Sequence, residues 1–577
     1  MGILKHHKIY LSGTRKTALE LARGRLVLVS IFFVLVYVVV LARVVDLSII
    51  QGVLQPAQEE SVYESVGIEV DEVNRADIVD RNGVLLARSL STASLYADPK
   101  MIQDPALVAK DIVNAFPDLT YGDVLKKLQS KKRFVWLKRN ISPDDQSKVL
   151  YMGYPGLNFK IEKRRVYPQG ALAVHLVGLS GIDEQGLSGV EASFNDLLQN
   201  DSSPLQLTMD VRVQHILKRE IANTISLHKA AAGAGVVMDV ETGEVLAAVS
   251  LPDFDPHEYT DARDIEKFNR FSLGVYELGS SLKIFSTAAL LESNNGDMAQ
   301  KFDVREPISI GRFKIRDYHP EKRVLTLPEV FIHSSNIGSA MMGQAVGSEK
   351  LKDFYRDVGL FNAAALEIPE VGNPLVPDPW REVNTMTAAF GHGIAVSPLQ
   401  LVRAASSVIN GGILVAPTII QSQKGHSKAS EKNALRVVSP ETSHRMRQLM
   451  RLVVSEGTGR QADVNGFLVG GKTGTAEKPG RSGYRKDQLI SSFLGVFPMD
   501  APRYAVFVMI DEPKGIKETY GYATGGWVGA PTVGRIISSM TSVLGLSPSV
   551  EQGFESSLMK YVKTKEQIQK EQKIAAH

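Results

Sequence analysis

Hydrophobic residues are distributed unevenly along the chain. Leu26 to Ala42 is an unbroken apolar run, LVLVSIFFVLVYVVVLA, closed by Arg43. Its 17 residues would span about 25 Å as a helix, slightly less than the ~30 Å hydrocarbon core of a bilayer. Arg25 and Arg43 can snorkel and extend that reach. Lys5, Lys8, Arg15, Lys16, Arg23 and Arg25 precede the run, against the single acid Glu20, so the positive-inside rule puts the N-terminus in the cytoplasm. The run is long for a signal peptide, and no small-x-small cleavage site follows it. A core helix of this length would rarely be apolar all round and so basic on one flank. The pattern predicts an uncleaved anchor with a cytoplasmic tail at 1–25 and a membrane helix at 26–45. No second run of this kind follows, so the rest of the chain is expected on the far side of the membrane.

Beyond a polar linker at 46–60 the pattern shortens. SVGIEVDEV and ADIVD read as strands, and Arg81-Asn82-Gly83 between apolar runs predicts a hairpin turn into VLLARSL. LVAKDIVNAF and YGDVLKKLQ, within 103–150, have helical spacing, and the basic stretch Lys131 to Arg133 reads as a solvated face. YPQGALAVHLVGLSG predicts a strand and loop, and GLSGVEASFNDLL a helix. LQLTMDVRVQHILKREIAN predicts a strand entering a long helix. GAGVVMDVETGEVLAAVS predicts two strands about Glu241-Thr242-Gly243. Helices and strands alternate to Leu546, with SSFLGVFP and RYAVFVMID among the last strands. The polar end, with KTKEQIQKEQK, predicts a frayed tail.

Composition narrows the chemistry by exclusion. Lys+Arg 66 against Asp+Glu 63 makes no general case for nucleic-acid binding. A hydrophobic fraction of 44% and a charged fraction of 22% fit ordered domains. With 0 Cys, disulfides, Fe–S clusters, thiolate zinc sites and a Cys nucleophile are excluded. No His cluster has metal-ligand spacing, and His6-His7 belongs to the basic tail.

Three motifs carry candidate chemistry. Ser280-Ser281-Leu282-Lys283 opens the apolar run IFSTAALLE. If a helix starts there, Ser280 and Lys283 share a face. A serine hydroxyl needs an adjacent base, and a lysine serves only when burial or nearby positive charge keeps it neutral. Ser334-Ser335-Asn336 follows 54 residues after Ser280 and offers a second hydroxyl and an amide. Lys472-Thr473-Gly474-Thr475, 138 residues further, follows the strand-like FLVGG and offers a cation, hydroxyls and backbone N–H groups suited to a carboxylate and an oxyanion. Each motif alone is weak: a capped helix, a polar loop and a common tripeptide would read the same. In this order, spacing and topology they form the signature of penicilloyl-serine transferases.

With these residues in place the sequence resembles the class B penicillin-binding proteins, most closely the septal peptidoglycan D,D-transpeptidases of Gram-negative bacteria, over nearly its whole length. Arg75-Ala76-Asp77-Ile78-Val79-Asp80-Arg81-Asn82-Gly83 is similar to the signature that opens the pedestal domain, with Ala76 where the family usually has Gly. Arg164-Arg165-Val166-Tyr167-Pro168, His175-Leu176-Val177-Gly178 and Gly189-Val190-Glu191 resemble later pedestal motifs. Leu278 replaces a usual Pro and Ser281 a usual Thr beside the nucleophile, and neither change removes a reacting group. Gly391-His392-Gly393, Ser397-Pro398-Leu399-Gln400-Leu401, Gly457-Thr458-Gly459 and Gly525-Gly526 also look like family motifs, and His392 is read there as structural.

The resemblance implies an α+β multidomain chain: one transmembrane helix, a mixed α/β pedestal at 61–204, a transpeptidase domain at 205–547 with an antiparallel sheet, flanking helices and an all-helical part, and a tail at 548–577. It implies Ser280 as nucleophile, Lys283 as base and Ser334 as proton relay. Asn336, Lys472, Thr473, Gly474 and Thr475 would bind substrate and form the oxyanion site, with no metal or cofactor. The partners it implies are a peptidoglycan stem pentapeptide, β-lactams as inhibitors, and a membrane glycosyltransferase with other division proteins, in the bacterial inner membrane. A class A enzyme would need a further glycosyltransferase domain, whose acidic pattern the residues before the transpeptidase domain lack. A β-lactamase would need a deacylating base, and none is evident. A D,D-carboxypeptidase shares the three motifs and lacks the pedestal signature. A β-lactam sensor would need an output domain for which the short tail has no room. A non-catalytic scaffold would be expected to have lost Ser280, Lys283 or Lys472. An elongation-type enzyme remains the nearest alternative, and the short tails and compact pedestal favour the septal type.

Overall fold

The computed structural model describes residues 14–45, 75–293, 297–311, 313–421, 435–480, 483–548, 553–563 and 567–568. The expected linker at 46–60, the SVGIEVDEV strand and most of the polar tail lie outside the described residues. The chain divides into two units, Met1–Glu72 and Val73–His577. In the first, helix α1 spans Thr14–Val45, and Arg23–Leu41, with a mean hydropathy of 2.7, is long and apolar enough to cross a membrane. The helix starts well before the apolar run, so Arg15, Lys16, Arg23 and Arg25 lie on it.

In the second unit the pedestal is built on five strands: β1 (Ile78–Val79), β2 (Leu85–Ala97), β3 (Val135–Ile141), β4 (Leu157–Val166) and β5 (Leu205–Gln206). Strand β2 pairs antiparallel with β1, β3 and β4, and β5 runs parallel to β1. Helices α2 (Pro105–Ala115), α3 (Tyr121–Leu128) and α4 (Pro143–Met152) share one core with the sheet, through Ile112, Leu128, Leu95 and Leu137. The stretch expected to be only helical therefore contains strand β3. There Leu137 and Ile141 are buried between less buried neighbours, and Ser142-Pro143 starts the next helix as cap and first residue. The strand expected at YPQGALAVHLVGLSG lies upstream, as β4, and that segment instead forms the short helices Gly170–Ala173 and Val174–Val177.

The turn at Arg81-Asn82-Gly83 is organised by Asp80, which is fully buried. One carboxylate oxygen accepts from the backbone N–H of Asn82 (2.7 Å) and Val84 (2.8 Å). The other accepts from Val211 N (3.1 Å), at the start of helix α5 (Val211–His228). One side chain thus closes the hairpin and caps the helix that leads into the next sheet. Nearby, Glu191 accepts from Arg75 Nε and Arg165 Nε, both at 2.7 Å, and Asn195 Oδ1 accepts from Arg75 at 3.0 Å. These ionic groups are buried, so each charge depends on its partner for compensation. Residues of three pedestal motifs meet in this network.

Strands β6 (Ala232–Asp239), β7 (Val245–Leu251), β8 (Gly470–Gly480), β9 (Gly483–Phe497) and β10 (Tyr504–Asp511) form a second sheet in the order β8-β9-β10-β6-β7, antiparallel throughout. Every position of β6 and β7 is buried. Helices cover both faces, which is why these strands read as apolar runs rather than alternations. Helix α5 packs on one face, through Val213, Leu217 and Ile221. The other face carries the helix Pro398–Ile409 and α8 (Pro440–Ser455), which belong to the core that also holds α6 (Lys283–Glu292) and α7 (Asn336–Val346). Helix α9 (Gly529–Val543) lies with α5. Residues 553–563 are docked rather than frayed: Leu558 is buried, Thr326 Oγ1 donates to Tyr561 O (2.8 Å), and Gln448 Nε2 donates to Phe554 O (3.0 Å). Their apolar Phe554, Leu558 and Tyr561 set them apart from the polar residues that follow.

Candidate active site

The first motif sits where the chain enters α6. Gly279–Leu282 forms one 3-10 turn that runs directly into the helix. Ser280 is half-buried and lines a cleft of about 650 Å³. Ser281 points the other way: it is fully buried, and its hydroxyl has no hydrogen-bond partner among the described residues. Gly279 has φ +54, and a Cβ there would lie 2.4 Å from Thr475 O, so the turn can press against β8 only because that side chain is absent.

Lys283 is 1% exposed. Its Nζ donates to Ser334 O (2.5 Å) and Asn336 Oδ1 (2.7 Å), and lies 3.2 Å from Ser334 Oγ. The first two partners only accept. A neutral amine that donates both its hydrogens to them keeps its lone pair for a hydroxyl. Burial pushes the Lys283 pKa well below the usual lysine range, the charge of Lys472 adds to the effect, and Asp317 opposes it.

Ser334 adopts φ +58, a left-handed conformation that is strained for serine. The following residues are held by Asp317. Its carboxylate accepts from Ser335 Oγ (2.8 Å), Asn336 N (2.6 Å) and Ile337 N (2.9 Å), while Ser335 Oγ accepts from Gly338 N (3.0 Å). Helix α7 therefore has two caps, and Asn336 is its first residue. Asn336 Nδ2 donates to Arg316 O (3.0 Å), which fixes the amide with its oxygen toward Lys283.

The third motif lies inside strand β8 rather than after a strand. Lys472 is fully buried, and its Nζ donates to Ser334 Oγ at 2.9 Å. Burial lowers its pKa to about 7. Thr473, Thr475 and Glu477 all line the cleft, as the two-residue period of a strand requires. Thr473 Oγ1 is 2.9 Å from Thr458 Oγ1, and Thr475 Oγ1 accepts from Gly525 N at 3.0 Å. Gly474 sits on the opposite side, where a Cβ would lie 2.5 Å from Ser281 Oγ and 2.7 Å from Leu278 O. The structure brings the three motifs together: Ser280, Ser334, Asn336, Thr473 and Thr475 line the cleft, Lys283 and Lys472 both reach the Ser334 hydroxyl, and Gly474 backs the Gly279–Leu282 turn. Sequence reasoning missed Asp317, because no local pattern marks a carboxylate whose partners begin 18 residues later.

His392 also lines the cleft. Burial, and then Lys283, push its pKa down to about 4, and its ring packs against Phe390 and Tyr484 with centroids at 5.1 and 5.3 Å. The ring is therefore uncharged at neutral pH and in contact with both aromatic rings.

Residues 233–538 match the penicillin binding protein transpeptidase domain, and residues 70–226 match the penicillin-binding protein dimerisation domain. The chain is 37% identical over 490 residues to the probable peptidoglycan D,D-transpeptidase FtsI of Caulobacter vibrioides, covering 83% of this chain and 82% of the relative. It is 28% identical to the peptidoglycan D,D-transpeptidase FtsI of Escherichia coli K12, covering 85% of this chain and 87% of the relative. The crystal structure of penicillin binding protein 3 from Mycobacterium tuberculosis complexed with ampicillin superposes with a TM-score of 0.66 at 25% identity, covering 83% of this chain and 97% of that one.

Proposed function

The chain belongs to the class B penicillin-binding protein transpeptidases, and on that premise we propose that it cross-links peptidoglycan stem peptides at the division septum through an acyl-enzyme on Ser280. The observation that carries the proposal is the meeting of all three motifs at the Ser334 hydroxyl, 3.2 Å from Lys283 Nζ and 2.9 Å from Lys472 Nζ. Septal rather than lateral-wall work draws support from the relatives named FtsI.

In this mechanism Ser280 Oγ attacks the carbonyl of the penultimate D-Ala of a donor stem peptide, and neutral Lys283 takes its proton. The N–H groups of Ser280 and Thr475 stabilise the oxyanion, each typically worth ~3–4 kcal/mol. Lys472, Thr473 and Thr475 hold the terminal carboxylate, and Gly474 lets β8 approach the nucleophile turn. Ser334 passes a proton to the leaving D-Ala, and Asn336 orients Lys283 and the peptide. A second stem's amine then resolves the acyl-enzyme. β-Lactams act as substrate mimics that stay on Ser280. We further propose that α1 is a single-pass anchor in the inner membrane with a cytoplasmic N-terminus, that 61–204 and 205–547 are the pedestal and transpeptidase domains, and that a membrane glycosyltransferase and other division proteins are the partners.

The direct test is to label the full-length membrane protein with fluorescent penicillin and map the adduct by mass spectrometry. The expected result is one covalent adduct on Ser280, together with D-Ala release from a stem pentapeptide. An unlabelled protein that releases no D-Ala would sink the proposal.

A pH dependence follows. Lys283 is active as base when neutral, so acylation rises with pH through its lowered pKa. Lys472 attracts the carboxylate when protonated, and with a pKa of about 7 it loses that charge above neutrality. The kcat/KM for acylation is therefore expected to be bell-shaped with a falling limb near pH 7. Lys472→Arg, which keeps its charge, should move that limb upward while lowering the maximum. A profile flat from pH 6 to about 9 would contradict the assignment.

A further inference from the structure

A second cavity of about 470 Å³ adjoins the catalytic cleft. Its walls are largely apolar: Val275, Leu375, Val376, Pro377 and Ile490. Two carboxylates stand on its lining, Glu277 and Glu477, and Glu477 lines the catalytic cleft as well. Gly393 lines the groove and its neighbour His392 lines the cleft, so the same short turn borders both spaces. Glu477 follows Thr475 on the same face of β8, about 7 Å along the strand. Lys478, the adjacent cation, is held by Asp511 (3.0 Å) and Glu512 (2.9 Å). Glu277 is fixed in place by Tyr484 Oη, 3.0 Å from both of its oxygens, and accepts from Gly393 N at 3.2 Å.

This arrangement suits a ligand with an aliphatic arm and a cationic end. The donor's anionic end is drawn to Lys472 at the start of β8, whereas two carboxylates mark the far end. We propose that this groove is the acceptor subsite: it takes the stem-peptide arm whose primary amine attacks acyl-Ser280, and Glu477 holds the incoming ammonium where groove meets cleft. The proposal rests on the transpeptidase reading above and says where its second substrate enters. In the step, the ammonium releases one proton to solvent. The amine nitrogen then forms a bond to the acyl carbon as the ester bond to Ser280 Oγ breaks. The second amine proton passes by way of Lys283 or Ser334 to Ser280 Oγ, giving an amide and the regenerated serine. Glu477 is a positioning residue for the amine.

The test uses the full-length protein with a stem-pentapeptide donor and a synthetic stem tetrapeptide carrying a free side-chain amine as acceptor. It measures the ratio of cross-linked to hydrolysed product. Both arise from the same acyl-enzyme, so changes in acylation cancel. Glu477→Gln is expected to lower that ratio about tenfold, the loss of one charge-assisted contact. Glu477→Lys should lower it further, and Val376→Trp, which fills the groove, should lower it with every charge in place. A ratio unmoved by all three variants, while wild type still forms both products, would overturn the acceptor site and leave the transpeptidase reading standing. Failure of the wild type to form a penicillin adduct or either product would overturn that reading and this proposal with it.

Discussion

In membranes carrying the Ser280→Ala protein, fluorescent penicillin is expected to leave no band, while Ser281→Ala labels as wild type does. The two hydroxyls are adjacent in sequence and differ in direction. Ser280 faces the cleft. Ser281 is fully buried beneath Gly474, where a β-lactam carbonyl cannot reach it. Losing the nucleophile removes covalent chemistry outright rather than slowing it, so this is the largest effect available. Its converse, labelling that survives Ser280→Ala and vanishes with Ser281→Ala, would require the turn at Gly279–Leu282 to be rotated. A thermal melt of each variant separates loss of the nucleophile from loss of fold.

The second large effect belongs to Lys283. Lys283→Met keeps the length and apolar stem of the side chain and removes the amine. Acylation by penicillin is expected to slow by about 10²–10⁴-fold, the usual worth of a general base. Ser334 O and Asn336 Oδ1 then lose their donor, which costs about 1–3 kcal/mol for each buried acceptor left unpaired. Removing a buried amine offsets part of that cost, so the variant should fold. Lys283→Arg should be equally slow, because arginine keeps its proton and cannot act as a base. Stopped-flow acylation rates measure both, and rates within about threefold of wild type would mean that the proton goes elsewhere.

Much of this architecture was legible in local pattern. Val211–His228 and the strands β6 and β7 lie where apolar spacing put them, because each buries a continuous face. The hairpin after β1 follows from Asn82-Gly83, whose glycine takes φ +83. Strand β3 was hidden because a short run with half-buried positions sits between helices and has no strong alternation. The docked segment at 553–563 was hidden by the polar residues around Phe554 and Leu558. The three motifs that meet at the cleft were legible, while Asp317 and the groove beside Glu477 were not. Asp317 caps a helix that begins 19 residues later, and the groove that Glu477 borders is assembled from segments far apart in the chain.

By itself, then, the sequence determined what depends on neighbours within a few positions. These are a helix long enough for a membrane, a serine and a lysine one turn apart, and threonines alternating on a strand. The tertiary structure alone decided that Ser281 is sealed behind Gly474, that Ser334 stands between two lysines drawn from segments far apart in the chain, and that burial lowers the pKa of both lysines. The physical reason is desolvation. A pKa of about 7 at Lys472 comes from the walls around the ammonium, and those walls are brought together by folding.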